Sequence, residues 1–263
     1  MVPLLKTSAS RRTWQATPEG RTLARDASVF WKVVDSPMSI FAESIRSIKL
    51  ATHFYGTEPN RVIGFTSALP HEGKSTIAAA VAQLAAQAGN RVIILDCDLR
   101  IPSLSRRLAP SATVGIVDVI SGARSLEETV WRDPKTNLFF LPAVTGAPLF
   151  SSEMLESEAT NRFIGRLREN FDFVIVDLPP LVPIVDARAA AHLVDCMILA
   201  IEWGRTKIEI VRHALDTAPN VHQAIIGVVL NKTNMDHLPQ YDVQHKSMYQ
   251  HKHYARCSYS GDN

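Results

Sequence analysis

The run Arg61 to Thr76, RVIGFTSALPHEGKST, limits the possible folds of this chain more than any other stretch. Val62 to Thr66 is a short apolar run of strand-like composition. Pro70 and Gly73 mark a loop, and Lys74, Ser75 and Thr76 stand just before an alanine-rich run that reads as a helix. Strand, loop and helix in that order are the context in which a phosphate-binding loop works. Backbone N–H groups of such a loop point inward at phosphate oxygens, and the helix N-terminus adds partial positive charge. Lys74 then reaches the β- and γ-phosphates, and the Ser75 hydroxyl sits on Mg²⁺. The strict pattern begins with glycine; here Ala68 holds that position, so the run reads A-x4-G-K-S-T. The competing interpretation is an ordinary strand-to-helix turn that happens to hold a lysine.

Beyond this loop the chain alternates apolar runs with helical periodicity. Strand candidates are Val62–Thr66, Arg91–Asp96, Leu138–Leu141, Phe173–Asp177, Cys196–Glu202 and Ile225–Asn231. Helical candidates are Ser75–Ala88, Met154–Glu169, Asp186–Leu193 and Lys207–Ala218. Continuous apolar strands joined by helices predict an α/β fold, a mostly parallel β-sheet with helices on both faces. Ligands of such sheets bind beyond the carboxyl ends of the strands. Asp96-Cys97-Asp98-Leu99-Arg100, Asp177-Leu178-Pro179-Pro180 and Asn231-Lys232 stand at those ends. Carboxylates beside a phosphate loop suit Mg²⁺, a hard cation that takes oxygen ligands and keeps several waters. Any one of these aspartates alone would serve equally as a helix cap; three on one sheet edge weaken that reading.

Other parts of the chain are read more coarsely. Residues 1–36 are polar and basic, without periodicity, and are expected to form a flexible arm. Lys6, Arg11, Arg12, Arg21, Arg25 and Lys32 would suit an anionic membrane surface or simply a solvated tail. From Pro37 to Phe54, Ile40, Phe41, Ile45, Ile48 and Leu50 follow helical spacing, with Glu43, Arg46 and Lys49 along one side. A net charge of +2 does not make the whole chain a nucleic-acid binder. No run is long and apolar enough to span a bilayer, and the N-terminus lacks the apolar core of a signal peptide. Cys97, Cys196 and Cys257 lack metal-ligand spacing, which favours a reducing cytoplasm.

These motifs together resemble the bacterial tyrosine kinases that control exopolysaccharide and capsule production, within the P-loop partitioning-ATPase superfamily with its deviant Walker-type loop. ALPHEGKST resembles their first nucleotide motif, IILDCDLRIPSL their second (D-x-D-x-R-x-P), and VIVDLPP their third. The likeness runs from about Phe41 to Asn231, and IEWGRTK, Ile201 to Lys207, looks like the cytoplasmic domains of rhizobial-type chain-length regulators. It implies a kinase domain over 37–235 and a flexible, tyrosine-containing tail over 236–263. ATP and Mg²⁺ are the implied cofactors, with Glu72, Gly73, Lys74, Ser75, Thr76, Arg100 and Asn231 around the nucleotide. Lys74 neutralises the transferred phosphoryl group. Ser75, Asp98 and Asp177 hold Mg²⁺, Asp98 and Asp177 through water, and Asp96 takes or orients the tyrosine proton. Arg100 either stabilises phosphate charge or pairs with a neighbouring carboxylate. Asn231 stands where related ATPases contact the base.

Tyr241, Tyr249, Tyr254 and Tyr259, four of the five tyrosines, lie in the tail among Lys, His, Gln and Ser. The resemblance makes them phosphoacceptors. Glu43-x-x-Arg46-x-x-Lys49 resembles the family's oligomerisation helix, with lysine in place of the last arginine. A homo-oligomeric ring, a transmembrane activator or polysaccharide co-polymerase, a tyrosine phosphatase and recruitment to the inner face of the plasma membrane follow from the same likeness. The activator is either a separate membrane protein or part of a longer chain. Two rivals remain: a positioning ATPase of the septum-site or chromosome-partitioning kind, and a nucleotide-sensing scaffold. The first usually carries an extra lysine where this chain has Leu69, and the second would transfer little phosphate.

Overall fold

In the computed structural model, which describes residues 20–25, 29–54, 61–144, 151–182 and 184–234, the strand that feeds the phosphate loop lies inside a seven-stranded sheet. This strand, β1 (Arg61–Ser67), is buried along its whole length. It is joined by β2 (Val92–Asp96), β3 (Trp131–Arg132), β4 (Phe139–Leu141), β5 (Phe173–Asp177), β6 (Cys196–Glu202) and β7 (Ile225–Asn231). The spatial order is β3-β4-β2-β5-β1-β6-β7. All ladders are parallel except that between β3 and β4.

Alternate strand residues feed two apolar layers. Val62, Ile93, Leu95, Val174 and Val176 pack on one face with Phe163, Ile164 and Leu167 of helix Glu158–Asn170, and with Val211 and Ala214 of helix Ile208–Asp216. Ile63, Phe65, Val92, Ile94 and Ile175 pack on the other with the alanine-rich helix Lys74–Gln87 and with Ala42 and Ile45 of helix Ile40–Phe54. Burial on both faces is why these strands read as continuous apolar runs. Each buried branched or aromatic side chain contributes about 1.5–3 kcal/mol. Parallel register places Asp96 directly beside Asp177, so both carboxylates leave the sheet at one level.

Several expectations need correction. The packed unit reaches back before Pro37. Residues 21–23 pair alongside β3, with Leu23 N–H donating to Arg132 O at 3.1 Å and Arg132 N–H to Arg21 O at 3.0 Å. Leu23, Phe30, Trp31, Val33 and Val34 are buried, and the Arg25 guanidinium stacks over Trp31 at 4.4 Å. Their apolar side chains, scattered among basic ones, show no periodicity; they become core because the sheet edge and helix Lys74–Gln87 receive them. The helix expected over Met154–Glu169 is two, Ser151–Glu156 and Glu158–Asn170, because the Ser157 side chain accepts from Thr160 N–H as an N-cap. The tail region 236–263, with its four tyrosines, lies outside the described residues. Among the described residues no helix is long and apolar enough to cross a membrane.

Candidate functional site

The loop between β1 and helix Lys74–Gln87 is shaped from below by Glu72. Its carboxylate is 1% exposed and turns inward. One oxygen accepts from Leu69 N–H at 2.6 Å; the other accepts from Glu202 N–H at 3.0 Å and from the Thr206 hydroxyl. The side chain read as a nucleotide contact is therefore engaged in holding the loop. His71 and Gly73 lie in the left-handed region, at φ 68° and 96°. Such turns aim successive N–H groups into one concavity that accepts anions. A Cβ at Gly73 would stand 2.0 Å from Asn231 Nδ2, so glycine is required for space as well as conformation. Asn231 donates that amide to Glu72 O at 2.8 Å, and Lys232 donates to His71 O at 2.7 Å. The end of β7 thus grips the loop backbone, and the Asn231 amide faces the loop.

Lys74, Asp96, Asp98 and Asp177 are brought together and are almost completely buried. Lys74 Nζ lies 3.0 Å from Asp98 Oδ2, 3.3 Å from Asp177 Oδ1 and 3.3 Å from Ser75 Oγ. Burial works to lower the Lys74 pKa, but Asp177, then Asp98 and Asp96, outweigh it and raise the pKa above its ordinary value. Asp96 Oδ2 accepts from Ser105 N–H at 2.9 Å and Ser105 Oγ–H at 2.7 Å, while Oδ1 accepts from Asp98 N–H at 3.1 Å. Burial, with Asp177 beside it, still pushes Asp96 up to about 7 against the pull of Ser105. Asp177 is also raised, chiefly by burial, with Lys74 opposing. Cys97, between Asp96 and Asp98 in the chain, is buried, and its thiol pKa is pushed up by burial and then by Asp96.

This donor set fits Mg²⁺. Asp177 Oδ2 is a buried carboxylate oxygen without a hydrogen-bond partner among the described residues. Asp98, Ser75 and Asp177 stand around the same ammonium. Among the described residues no three His, Cys, Asp or Glu side chains form a ready-made cage. Mg²⁺ takes one or two carboxylates and keeps waters and phosphate oxygens for the rest, a demand that Asp98, Asp177 and the Ser75 hydroxyl can meet. Thr76 is half-buried in the first helical turn behind Ser75.

Arg100 resolves to the second of its two readings. Its Nε and NH2 donate to Asp186 Oδ2 and Oδ1 at 3.0 and 3.1 Å. Asp186, fully buried, also accepts from Ser151 Oγ at 2.6 Å, so one carboxylate ties the loop after β2 to the segments following β4 and β5. Arg46 likewise pairs within its own helix, with Glu43, and donates to Pro37 O at 2.6 Å; burial lowers the pKa of Lys49. Sequence reasoning missed Ser103, Ser105 and Asp186, and placed Lys232 at a strand end without giving it a role. Ser103 Oγ lies 3.2 Å from Ser75 Oγ, and Ser105 Oγ accepts from Ala143 N–H at 2.8 Å. The available signal was a Ser-x-Ser directly after Pro102, where a helix starts. A cleft of about 510 Å³ lies apart, between Val119–Glu127 and helix Glu158–Asn170, and no phosphate-loop residue lines it.

Comparison with known proteins agrees with this geometry. Residues 65–253 match the model of the CobQ/CobB/MinD/ParA nucleotide binding domain. The succinoglycan biosynthesis transport protein ExoP of Rhizobium meliloti is 41% identical over 226 residues, 84% of this chain and 29% of that protein. The tyrosine-protein kinase YwqD of Bacillus subtilis is 28% identical over 208 residues, 78% of this chain and 86% of the kinase. Among solved structures, the chimerical protein CapA2B2 superposes with a TM-score of 0.73 at 25% identity, covering 78% of this chain and 91% of the chimera. The chain spans less than a third of its ExoP relative and most of its YwqD relative. It belongs to the CobQ/CobB/MinD/ParA nucleotide-binding domain family, and its relatives include ExoP and bacterial tyrosine-protein kinases.

Proposed function

We propose that this chain is an ATP- and Mg²⁺-dependent protein-tyrosine autokinase that regulates the polymerisation and export of an exopolysaccharide or capsular polysaccharide. The observation that carries the reading is the register pairing of Asp96 with Asp177 beside Lys74 and Asp98, at the strand ends next to the phosphate loop. The loop N–H groups and Lys74 bind and orient the nucleotide phosphates, and Lys74 offsets charge that develops on the γ-phosphoryl group. Asp98, Ser75 and Asp177 would hold Mg²⁺, which supplies further charge neutralisation when bound. Asp96, with a pKa near neutrality, accepts the proton of the attacking phenol. Burial of this cluster excludes water from the transfer.

The relatives' names support the polysaccharide setting, and a transmembrane co-polymerase is the partner proposed for the nucleotide site. Tyr241, Tyr249, Tyr254 and Tyr259 are the proposed acceptors, with a tyrosine phosphatase reversing them. A second copy docking through Glu43, Arg46 and Lys49 is proposed as the oligomeric contact. Phosphosite mapping by mass spectrometry tests the reading, with ATP and Mg²⁺, with and without a candidate activator tail. Phosphate on the tail tyrosines that disappears in an Asp96→Asn/Asp98→Asn protein supports it. A clean tail in protein that binds ATP and carries a working activator would move the assignment to a switch ATPase or a nucleotide-sensing scaffold.

A further inference from the structure

Ile101 is held at the mouth of the carboxylate cluster by its own backbone. Its N–H donates to Asp98 Oδ1 at 3.1 Å, and its carbonyl accepts from Ser103 N–H at 2.6 Å. Ser103 Oγ in turn lies 3.2 Å from Ser75 Oγ. The main chain of Ile101 is therefore one hydrogen bond from the centre, yet its side chain is 46% exposed. Across the Arg100–Asp186 ion pair, Val185 is 49% exposed, with its carbonyl fixed by Arg188 N–H at 2.8 Å. Two exposed branched aliphatic residues thus stand next in the chain to the two partners of one bidentate clamp, Ile101 after Arg100 and Val185 before Asp186.

We propose that Ile101 and Val185 are the two walls of the acceptor subsite, which takes the phenol ring of a tyrosine in an extended, polar peptide. This rests on the kinase reading above. The chemistry favours a phenol because Asp96 is fully buried. A tyrosine hydroxyl reaches several ångströms further from its backbone than a seryl one. The ring that carries it there is a large apolar surface that gains from aliphatic contacts on the way. The Arg100–Asp186–Ser151 junction, built from three different segments, fixes the spacing of the two walls. The tyrosines of this chain's own tail sit among polar residues that would stay in solvent while the ring enters.

The test uses the full chain with Tyr241, Tyr249, Tyr254 and Tyr259 replaced by Phe, and a synthetic peptide of residues 236–252 as acceptor. Ile101→Ala and Val185→Ala should each raise KM for the peptide about fivefold or more, leaving the Kd of a fluorescent ATP analogue unchanged. Ile101→Leu and Val185→Ile should restore the peptide KM, which a merely structural role would not require. An unchanged peptide KM in both alanine variants, with transfer intact in the parent, overturns the subsite alone. A parent protein that binds the ATP analogue but phosphorylates no tyrosine, with an activator tail present, overturns the kinase reading and the subsite with it.

Discussion

Asn231, the last residue of β7, donates its side-chain amide to the backbone carbonyl of Glu72 at 2.8 Å, so the far strand of the sheet holds the phosphate loop. Asn231→Ala should weaken ATP and GTP equally, by about three- to tenfold, the worth of one hydrogen bond. Titration of fluorescent analogues of both nucleotides checks this. Unequal losses would assign Asn231 to the base and not to the loop.

Gly73 combines a φ of 96° with the close approach of Asn231. Gly73→Ala should abolish nucleotide binding at millimolar concentration while the fold persists by circular dichroism. Gly73→Ala/Asn231→Gly relieves the clash but not the left-handed backbone, which costs about 1–2 kcal/mol for a residue with Cβ. The double variant should therefore recover only part of the affinity.

Lys74→Met removes the cation that faces Asp98 and Asp177. Breaking a buried pair costs about 3–5 kcal/mol because charge is left uncompensated. The raised Lys74 pKa means its contribution is present throughout the neutral range and lost only as alkaline pH deprotonates the amine. The variant's stability deficit should be largest near pH 8 and shrink near pH 5, where Asp96 is protonated and one negative charge of the cluster is gone. Urea denaturation at the two pH values reads this out.

Asp96 gives a pH dependence of defined sign. Its pKa rises from 3.8 to about 7 on folding, so the native state holds the proton more tightly than the unfolded chain. The group therefore favours the fold below pH 4 and loses that contribution as pH rises to about 7. Asp96→Asn, in metal-free and nucleotide-free buffer, should raise the Tm relative to the parent most at pH 8, less at pH 5 and least below pH 4. The same substitution should abolish phosphoryl transfer.

The N-terminal segment makes a separate prediction about boundaries. A protein starting at Pro37 loses Leu23, Phe30, Trp31, Val33 and Val34 from one apolar layer and the pairing alongside β3. It should unfold at lower urea or aggregate. Trp31→Ala alone should cost about 3–5 kcal/mol.

The sequence determined what local chemistry can determine. Six apolar runs became strands within a residue of their expected bounds; the inner ones are unbroken because they are buried on both faces, whereas the edge strand β7 leaves Val228 and Leu230 exposed. The lysine loop and the aspartates fell at strand ends, because a loop chemistry of this kind is written in consecutive residues. Tertiary structure decided the rest. β3 is only two residues long, too short to register as a pattern. Asp96 meets Asp177 through strand register, Arg100 meets Asp186 across two crossovers, and Asn231 meets Glu72 from 159 positions away. Trp31 is buried because helix Lys74–Gln87, from later in the chain, packs against its segment. Periodicity and motif spacing report on neighbours within a few residues. Which carboxylate takes a given arginine depends on strand order, and strand order exists only once the sheet has formed.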